Sequence, residues 1–140
     1  MLKLDLSIHQ MFNVYCKEVR SILELAVPVW HPGLKRKESL QIEGIQKIAM
    51  KIILQEGYIT YQLACTTLGA ETLEKRRTKL CLTFASKNLK SSNSLFTKLK
   101  PSVQTRQKSD LVQEYSCNFR RFQRSSLPYM AKLLNENKRK

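Results

Sequence analysis

Four basic side chains crowd one short segment, EKRRTK, in the second half of the chain. Lysine and arginine bind phosphate groups because their charges displace the counterions that surround a nucleic-acid backbone. Such a cluster predicts contact with RNA or DNA backbone, or with another polyanion, and carries no information about base sequence. The residues are Lys75, Arg76, Arg77 and Lys79.

A second basic segment, NFRRFQR, interleaves two aromatic residues with three arginines. Aromatic rings can stack on nucleobases while neighbouring guanidinium groups bind phosphates. The same pattern also fits a basic surface in which both phenylalanines belong to the hydrophobic core, so the sequence leaves the two interpretations open. The residues are Phe119, Arg120, Arg121, Phe122 and Arg124.

The positive charge of the chain is concentrated in its second half. The net charge over 140 residues is +14. Residues 1–70 contain 8 Lys/Arg against 6 Asp/Glu, a net of +2, whereas residues 71–140 contain 17 against 5, a net of +12. This asymmetry favours a polyanionic partner for the second half.

Residue patterns that support catalysis are missing from the sequence. Aspartate occurs at Asp5 and Asp110 alone, so no adjacent acidic pair can hold two metal ions for phosphoryl transfer. The scattered glycines form neither a phosphate-binding loop nor a nucleophile elbow. His9 and His31 are isolated, and we interpret His31 as a turn or packing residue. We therefore predict no catalytic residue.

The four cysteines lie far apart, with no Cys-x-x-Cys pair and no histidine at zinc-finger spacing. We predict no metal site and no cofactor, and interpret the cysteines as small buried residues in a reducing compartment. The N-terminus lacks the apolar run of a signal peptide, and no apolar run is long enough to span a bilayer. We expect an intracellular protein, cytoplasmic or nuclear, with no membrane partner.

Apolar residues recur at three- and four-residue steps, as in amphipathic helices. Ser7, Thr60 and Ser126 are predicted N-caps, and Gly57 and Gly69 are predicted helix stops. The predicted helices are Ser7–Ala26, Glu38–Glu56, Thr60–Leu68, one that begins at Thr72, and a short one that begins at Ser126. Their predicted buried faces are Met11, Tyr15, Val19, Ile22, Leu23 and Ala26; Ile42, Ile45, Ala49, Ile52 and Ile53; Leu73, Arg77, Leu80 and Phe84; and Leu127, Met130, Ala131 and Leu134.

Two prolines bracket the single tryptophan in the segment VPVWHPG. Pro28 disfavours a helical conformation in the residue before it, so the first helix is predicted to end near Ala26. Pro32 and Gly33 supply a turn. We interpret Trp30 as a structural anchor that fills the gap between the first two helices, with nucleobase stacking as the alternative.

Composition divides the chain into three regions. Residues 1–90 form a predicted helical module, residues 91–110 a polar linker without sustained periodicity, and residues 111–140 a basic C-terminal segment with a short helix. The predicted fold class is all-α: a small bundle of about four to five helices with a polar linker before the C-terminal helix.

Four segments, in order, resemble the C-terminal region of the reverse transcriptases of non-LTR, LINE-like retrotransposons. They are YCKEVRSILELAVPVWHPGL, IEGIQKIAMKIIL, LGAETLEKRRTKLCLTFASKNL and FQRSSLPYMAKLLN. In that family this region follows the catalytic palm and includes the helical thumb. The resemblance implies scaffold and backbone-contact roles for Leu23, Glu24, Pro28, Val29, Trp30, Pro32, Ile42, Glu43, Gln46, Lys47, Arg76 and Arg77.

The resemblance places the family's fingers and palm, with the Ala-Asp-Asp signature that binds catalytic magnesium, upstream of Met1. We therefore expect a catalytically incomplete fragment of an RNA-directed DNA polymerase, which is not an enzyme as it stands. Its expected partners are RNA or DNA backbone, bound without sequence preference, and the missing palm. The alternatives are a stand-alone basic nucleic-acid-binding protein, or a helical domain that binds a protein through an exposed apolar face.

Overall fold

The computed structural model describes residues 6–90, 112–113 and 118–139, and over these residues the fold is all-α, as predicted. None of the described helices has the length and apolar character that crossing a bilayer requires. The linker predicted at residues 91–110 lies outside the described residues. The elements are α1 (Ile8–Val14), a π-helical stretch (Tyr15–Arg20), α2 (Ser21–Leu23), α3 (Val27–Trp30), a 3-10 turn (His31–Gly33), α4 (Arg36–Leu54), a second 3-10 turn (Gln55–Gly57), α5 (Tyr61–Thr67), α6 (Leu73–Lys90), α7 (Arg120–Gln123) and α8 (Ser126–Lys138).

The chain forms two compact units. The first unit comprises Met1–Leu25 and Lys35–Arg76, and the second comprises Ala26–Leu34 and Arg77–Lys140. The boundary that we placed at residue 90 does not coincide with this division. The segment Val27–Gly33, which contains Pro28, Trp30 and Pro32 and which we call the proline-bounded corner, falls in the second unit with the C-terminal residues, although in sequence it joins two elements of the first.

Side-chain caps and a left-handed glycine set helix ends where the sequence predicts them. Ser7 caps α1 in a reciprocal arrangement: its Oγ accepts from the Gln10 backbone N–H, and the Gln10 side chain accepts from the Ser7 backbone N–H at 2.9 Å. Thr60 caps α5 by accepting from the Leu63 N–H at 3.2 Å. Gly69, at φ +61°, follows the end of α5.

Non-glycine residues make the turn at two other helix ends, and the predicted stop at Gly57 is wrong. The first helical run, which comprises α1, the π-helical stretch and α2, ends at Leu23, and Ala26, near which the end was predicted, adopts a left-handed φ of 50°. Pro28 consequently lies in the first turn of α3, where a missing N–H costs little. At the end of α4, the positive φ belongs to Gln55 (47°) and not to Gly57. Periodicity carries no signal for such turns.

The buried face of α4 differs from the predicted isoleucine row. Ile45 and Ile52 are 41% and 65% exposed, and Ile48 is 61% exposed. Ile53 is buried as predicted, and the other buried residues of α4, which the prediction did not include, are Glu43, Gln46, Met50 and Leu54. Two of these are polar, and a polar group can occupy a core position at low cost when it is fully hydrogen-bonded.

The apolar end of this face builds the core of the first unit. Met50 and Leu54 pack with Ala64 and Cys65 of α5. Ile53 packs with Phe12 and Tyr15 from the first helical run, which confirms Tyr15 as a core residue. The predicted partners Val19 and Ile22 are 40% and 72% exposed, so the first run buries a narrower stripe than its periodicity indicates.

The polar end of the buried face of α4 begins with Glu43, whose carboxylate caps the N-terminus of α6. It accepts hydrogen bonds from the backbone N–H groups of Leu73 at 3.0 Å and Glu74 at 3.2 Å. The Tyr61 hydroxyl also donates to it. A negative charge at this position accepts hydrogen bonds from backbone donors that have no partner within the helix, and its interaction with the positive end of the helix dipole is stabilising.

Gln46 completes this buried polar cluster. Its Nε2 donates to the Tyr61 hydroxyl at 2.9 Å and to the Glu71 carbonyl at 3.0 Å, and its Oε1 accepts from the Tyr15 hydroxyl at 3.0 Å. Burial raises the pKa of Tyr15, and burial together with the bond to Glu43 raises the pKa of Tyr61. Both phenols therefore stay protonated and keep their hydrogen bonds.

The core of the second unit forms around α8. The predicted stripe on α8 is confirmed, since Met130, Ala131 and Leu134 are buried. They pack with Ala85 and Val112, and partly buried residues complete the cluster. The N-cap position of α8 is Ser125, one residue before the predicted Ser126.

A buried asparagine of α8 joins Val112 to this core. The Val112 N–H donates to Asn135 Oδ1, and Asn135 Nδ2 donates to the Val112 carbonyl, each at 3.0 Å. Asn135 is 1% exposed and Val112 is fully buried. The Asn135 side chain thus satisfies both backbone polar groups of a residue that is buried in the core.

We expect Glu43→Gln to lower the free energy of unfolding by about 1 to 3 kcal/mol, as loss of a charged hydrogen-bond partner does. The amide removes the negative charge and can set an N–H group against the backbone donors of α6. Urea denaturation followed by circular dichroism measures the change. Glu56→Gln, at an exposed position after α4, is the matched control and should shift it by less than about 0.5 kcal/mol. Equal losses in the two variants would exclude this capping role for Glu43.

Candidate nucleic-acid interface

The basic cluster at the start of α6 does not present four free charges. Lys75 and Lys79 are exposed, one turn apart. Arg76 forms a bidentate ion pair with Glu24: its Nη2 donates to Oε2 at 2.9 Å, and its Nε donates to Oε1. This pairing raises the pKa of Arg76. A guanidinium group so engaged is a structural element of the first unit.

Arg77 is fully buried, at 0% exposure, in a row on α6 with Leu73, Cys81 and Ala85. Its charge acts inside the second unit, where it lowers the pKa of His31 as a contribution secondary to burial. A phosphate on the protein surface does not reach this side chain. Lys75 and Lys79 are therefore the accessible members of the first predicted cluster.

The three arginines of the second cluster, in contrast, gather at one pocket. Arg120, Arg121 and Arg124 of α7 line a cavity of about 330 Å³ together with Gly33 of the corner. All three side chains are exposed. Within the part of the chain that the structure describes, no ion pair joins any of them to a carboxylate. The pocket is consequently lined by positive charge.

Both phenylalanines of this segment lie outside the hydrophobic core. Phe119 is 76% exposed and Phe122 is 38% exposed. The interpretation that placed both rings in the core is therefore wrong. Phe119 occupies the N-cap position of α7 in extended backbone and directly precedes Arg120. The segment Phe119–Arg124, which we call the Phe-Arg surface, thus presents aromatic rings and guanidinium groups together.

Backbone hydrogen bonds hold this surface in a defined shape. The Phe122 N–H donates to the Phe119 carbonyl at 3.0 Å, and the Arg124 N–H donates to the Arg120 carbonyl at 3.2 Å. The Ser125 hydroxyl donates to the Phe122 carbonyl at 2.7 Å. These bonds attach α7 to the start of α8, whose opposite side is buried in the core of the second unit.

The proline-bounded corner supplies the other wall of the pocket. Its most buried residue is Val27, at 0% exposure, followed by Pro32, while Pro28 and Trp30 are half-buried. The Trp30 ring meets the His31 ring edge to face, at 6.4 Å and 88°. The anchor role of Trp30 stays a prediction, and the deepest side chain of the corner is a valine that the sequence analysis did not single out.

Two hydrogen bonds hold the corner against α8. The Ser126 hydroxyl donates to the Val29 carbonyl at 3.3 Å, and the Tyr129 hydroxyl is hydrogen-bonded to His31 Nε2 at 3.2 Å. The rings of His31 and Tyr129 also pack edge to face at 5.6 Å. These contacts keep Gly33 beside the arginines. A Cβ on Gly33 would meet no atom within 4 Å, so the pocket is open on this side.

The described cysteines and acidic residues offer no metal site. Cys65 and Cys81 are buried, Cys16 is half-buried, and all three are free thiols. Burial raises the pKa of Cys81 to about 11, so the thiol is protonated at neutral pH. Among the described residues, no group of three His, Cys, Asp or Glu side chains could hold a metal ion. Cys117 lies outside them.

Comparison of the chain with protein-family models, with curated proteins and with solved structures finds no match. No family is assigned to the chain on this basis.

We expect His31 to make the second unit less stable in mild acid. Burial, with the charge of Arg77, lowers the pKa of His31 to about 4, from 6.5 in an exposed histidine. Because the unfolded chain binds the proton more readily, the stability contributed by neutral His31 is complete above pH 6.5 and is lost as the pH falls toward 4.

The measurement is urea denaturation of the wild type and of His31→Phe at neutral pH and at about pH 5. Between these pH values the free energy of unfolding of the wild type should fall by up to about 2 kcal/mol more than that of the variant, which cannot titrate at this position. His9 is present in both proteins and cancels in the comparison. Parallel pH profiles would show that His31 is protonated equally well in the folded and unfolded chains.

Proposed function

We propose that the chain binds RNA or DNA through the second unit, by contact with the sugar–phosphate backbone and without sequence preference. The observation that supports this most directly is the pocket at which Arg120, Arg121 and Arg124 converge. Exposed arginines that no described carboxylate neutralises are available to phosphate oxygens. Guanidinium groups bind such oxygens through paired hydrogen bonds that a lysine cannot make.

The charge of the chain supports the same proposal at longer range. The second half carries a net charge of +12, which attracts a polyanion from solution and increases the rate of encounter. Binding that depends on phosphate neutralisation is weakened by salt. The reason is that counterions released from the nucleic acid gain less entropy when the surrounding salt concentration is already high. Sequence preference is not expected from guanidinium contacts to the backbone.

The proposed activity is binding and not catalysis. Four segments of the chain resemble the C-terminal region of LINE-like reverse transcriptases, which includes the helical thumb, and the resemblance implies a module that grips the template–primer while the palm carries out polymerisation. We propose that this chain is a helical module of that kind, with a general affinity for nucleic acid and no polymerase activity of its own.

Replacement of Arg120, Arg121 and Arg124 by glutamine should weaken binding and reduce its dependence on salt. Loss of three phosphate contacts should make the slope of log affinity against log salt shallower by about 2 units. Fluorescence anisotropy with a labelled oligonucleotide, between about 50 and about 200 mM salt, measures this slope.

The matched control replaces Lys35, Arg36 and Lys37, three consecutive exposed residues of the first unit, by glutamine. It removes the same net charge at a different place and should leave the slope close to that of the wild type. Equal effects in the two triple variants would mean that binding depends on total charge and that the pocket lined by Arg120, Arg121 and Arg124 is not a specific binding site. A variant in which only Lys75 and Lys79 are neutralised tests the remaining accessible cluster.

A second candidate function, protein interaction, is favoured by an apolar groove in the first unit. The groove has a volume of about 270 Å³, and Val14, Val19 and Ile52 at its rim are 52%, 40% and 65% exposed. Contiguous exposed apolar surface of this kind marks interaction sites in many proteins. Its lining residues are Leu6, Met11, Val14, Tyr15, Val19, Ala49, Ile52 and Ile53.

If the groove is an interface, the chain should self-associate as its concentration rises, and Ile52→Lys should abolish that association because a charge would be buried in the contact. Sedimentation velocity measures both. Ile59→Lys, at a position 73% exposed and outside the groove, is the control and should associate like the wild type. A wild-type chain that stays monomeric at every concentration would count against self-association through this groove.

A further inference from the structure

We infer that the Phe-Arg surface recognises single-stranded nucleic acid, with an unpaired base stacked on Phe119 while its phosphate occupies the arginine pocket. The inference rests on the proposed function and deepens it by naming the form of nucleic acid that this site takes. It goes beyond charge because a pocket of arginines alone accepts a duplex and a single strand alike.

The exposure of Phe119 is the first observation. An aromatic ring that is 76% exposed leaves a large apolar face in water beside three charged groups. Such a ring is a platform on which a nucleobase stacks, and the stacking is tolerant of sequence because every base has a π face. The bases of a duplex already stack on one another, so their faces are inaccessible unless a base step is opened at a cost of a few kcal/mol.

The position of the ring in the chain is the second observation. Phe119 has extended backbone, with φ −85° and ψ 114°, and Arg120 begins the helix directly after it. Adjacent residues therefore present the ring and the first guanidinium group, so one nucleotide can place its base on the first and its phosphate on the second. The Phe122 N–H donates to the Phe119 carbonyl at 3.0 Å, which fixes the two aromatic residues on one turn.

Aromatic and basic residues together can also bind a membrane surface. The geometry of α7 disfavours membrane binding. Interfacial helices bury a continuous apolar face along many residues. Helix α7 has four residues, of which only Phe122 is apolar, and Phe122 is 38% exposed. This surface presents an exposed aromatic residue, which suits stacking, and lacks the apolar length that insertion among lipids requires.

The test compares Phe119→Leu and Phe119→Trp in the full chain. Leucine keeps an apolar side chain but removes the aromatic face, whereas tryptophan keeps and enlarges that face. The probes are labelled oligo-dT and oligo-rU of about ten nucleotides and a blunt-ended duplex of matched charge without unpaired bases, at one fixed salt concentration. Because position 119 is exposed, both variants should melt like the wild type, and circular dichroism checks this.

We expect Phe119→Leu to weaken binding of both single strands at least about fivefold, with less than a twofold effect on the duplex, and Phe119→Trp to bind single strands like the wild type. The glutamine variant of Arg120, Arg121 and Arg124 should weaken binding of all three probes. This difference separates the two claims, because the arginines serve both forms of nucleic acid and the ring serves one.

If the arginine variant loses affinity as expected, the proposed function stands, and two results would then overturn the inference. One is that Phe119→Leu weakens the binding of all probes equally, and the other is that it weakens the binding of none. An arginine variant that binds every probe like the wild type would overturn the proposed function itself. Tight binding to vesicles rich in phosphatidylserine that Phe119→Leu abolishes, without any effect on the oligonucleotides, would reassign the surface to lipid.

Discussion

The buried carboxylate of Glu43 is the contact on which the first unit depends. It joins the middle of α4 to the first N–H groups of α6, at 3.0 and 3.2 Å, and Gln46 extends the connection to Tyr15, Tyr61 and the Glu71 carbonyl. Because every described hydrogen bond of this cluster crosses between separate segments, it sets the rotation of α4 about its axis. The exposed isoleucines of α4 and the apolar groove are consequences of that rotation.

Local chemistry made part of the fold predictable. Ser7, Thr60 and Gly69 act at helix ends through contacts within a few residues, so their effect can be inferred from type and position. The face of α4 could not be inferred in this way. Periodicity ranks Ile45 above Glu43 for burial, and the partner that makes Glu43 acceptable in a core lies 30 residues away in the chain.

The same limit separates the two basic clusters, which are alike as sequences. Arg76 is neutralised by Glu24, 52 residues earlier, and Arg77 is enclosed in the second unit, whereas the arginines of α7 remain exposed. No local pattern reveals a distant counter-charge. The sequence likewise left open whether Phe119 and Phe122 were core residues, because burial of an isolated aromatic depends on elements that pack around it, and here Phe119 is 76% and Phe122 38% exposed.

We propose that nucleic acid binds this chain at the Phe-Arg surface. The most direct measurement is an amide NMR titration of the isotopically labelled full chain with a short single-stranded oligonucleotide. We predict saturable shift changes for Phe119–Arg124 and for Gly33, which lines the same pocket, with the amides of α4 and of the apolar groove unmoved. Changes confined to the region of Lys75 and Lys79, or to the first unit, would contradict that claim.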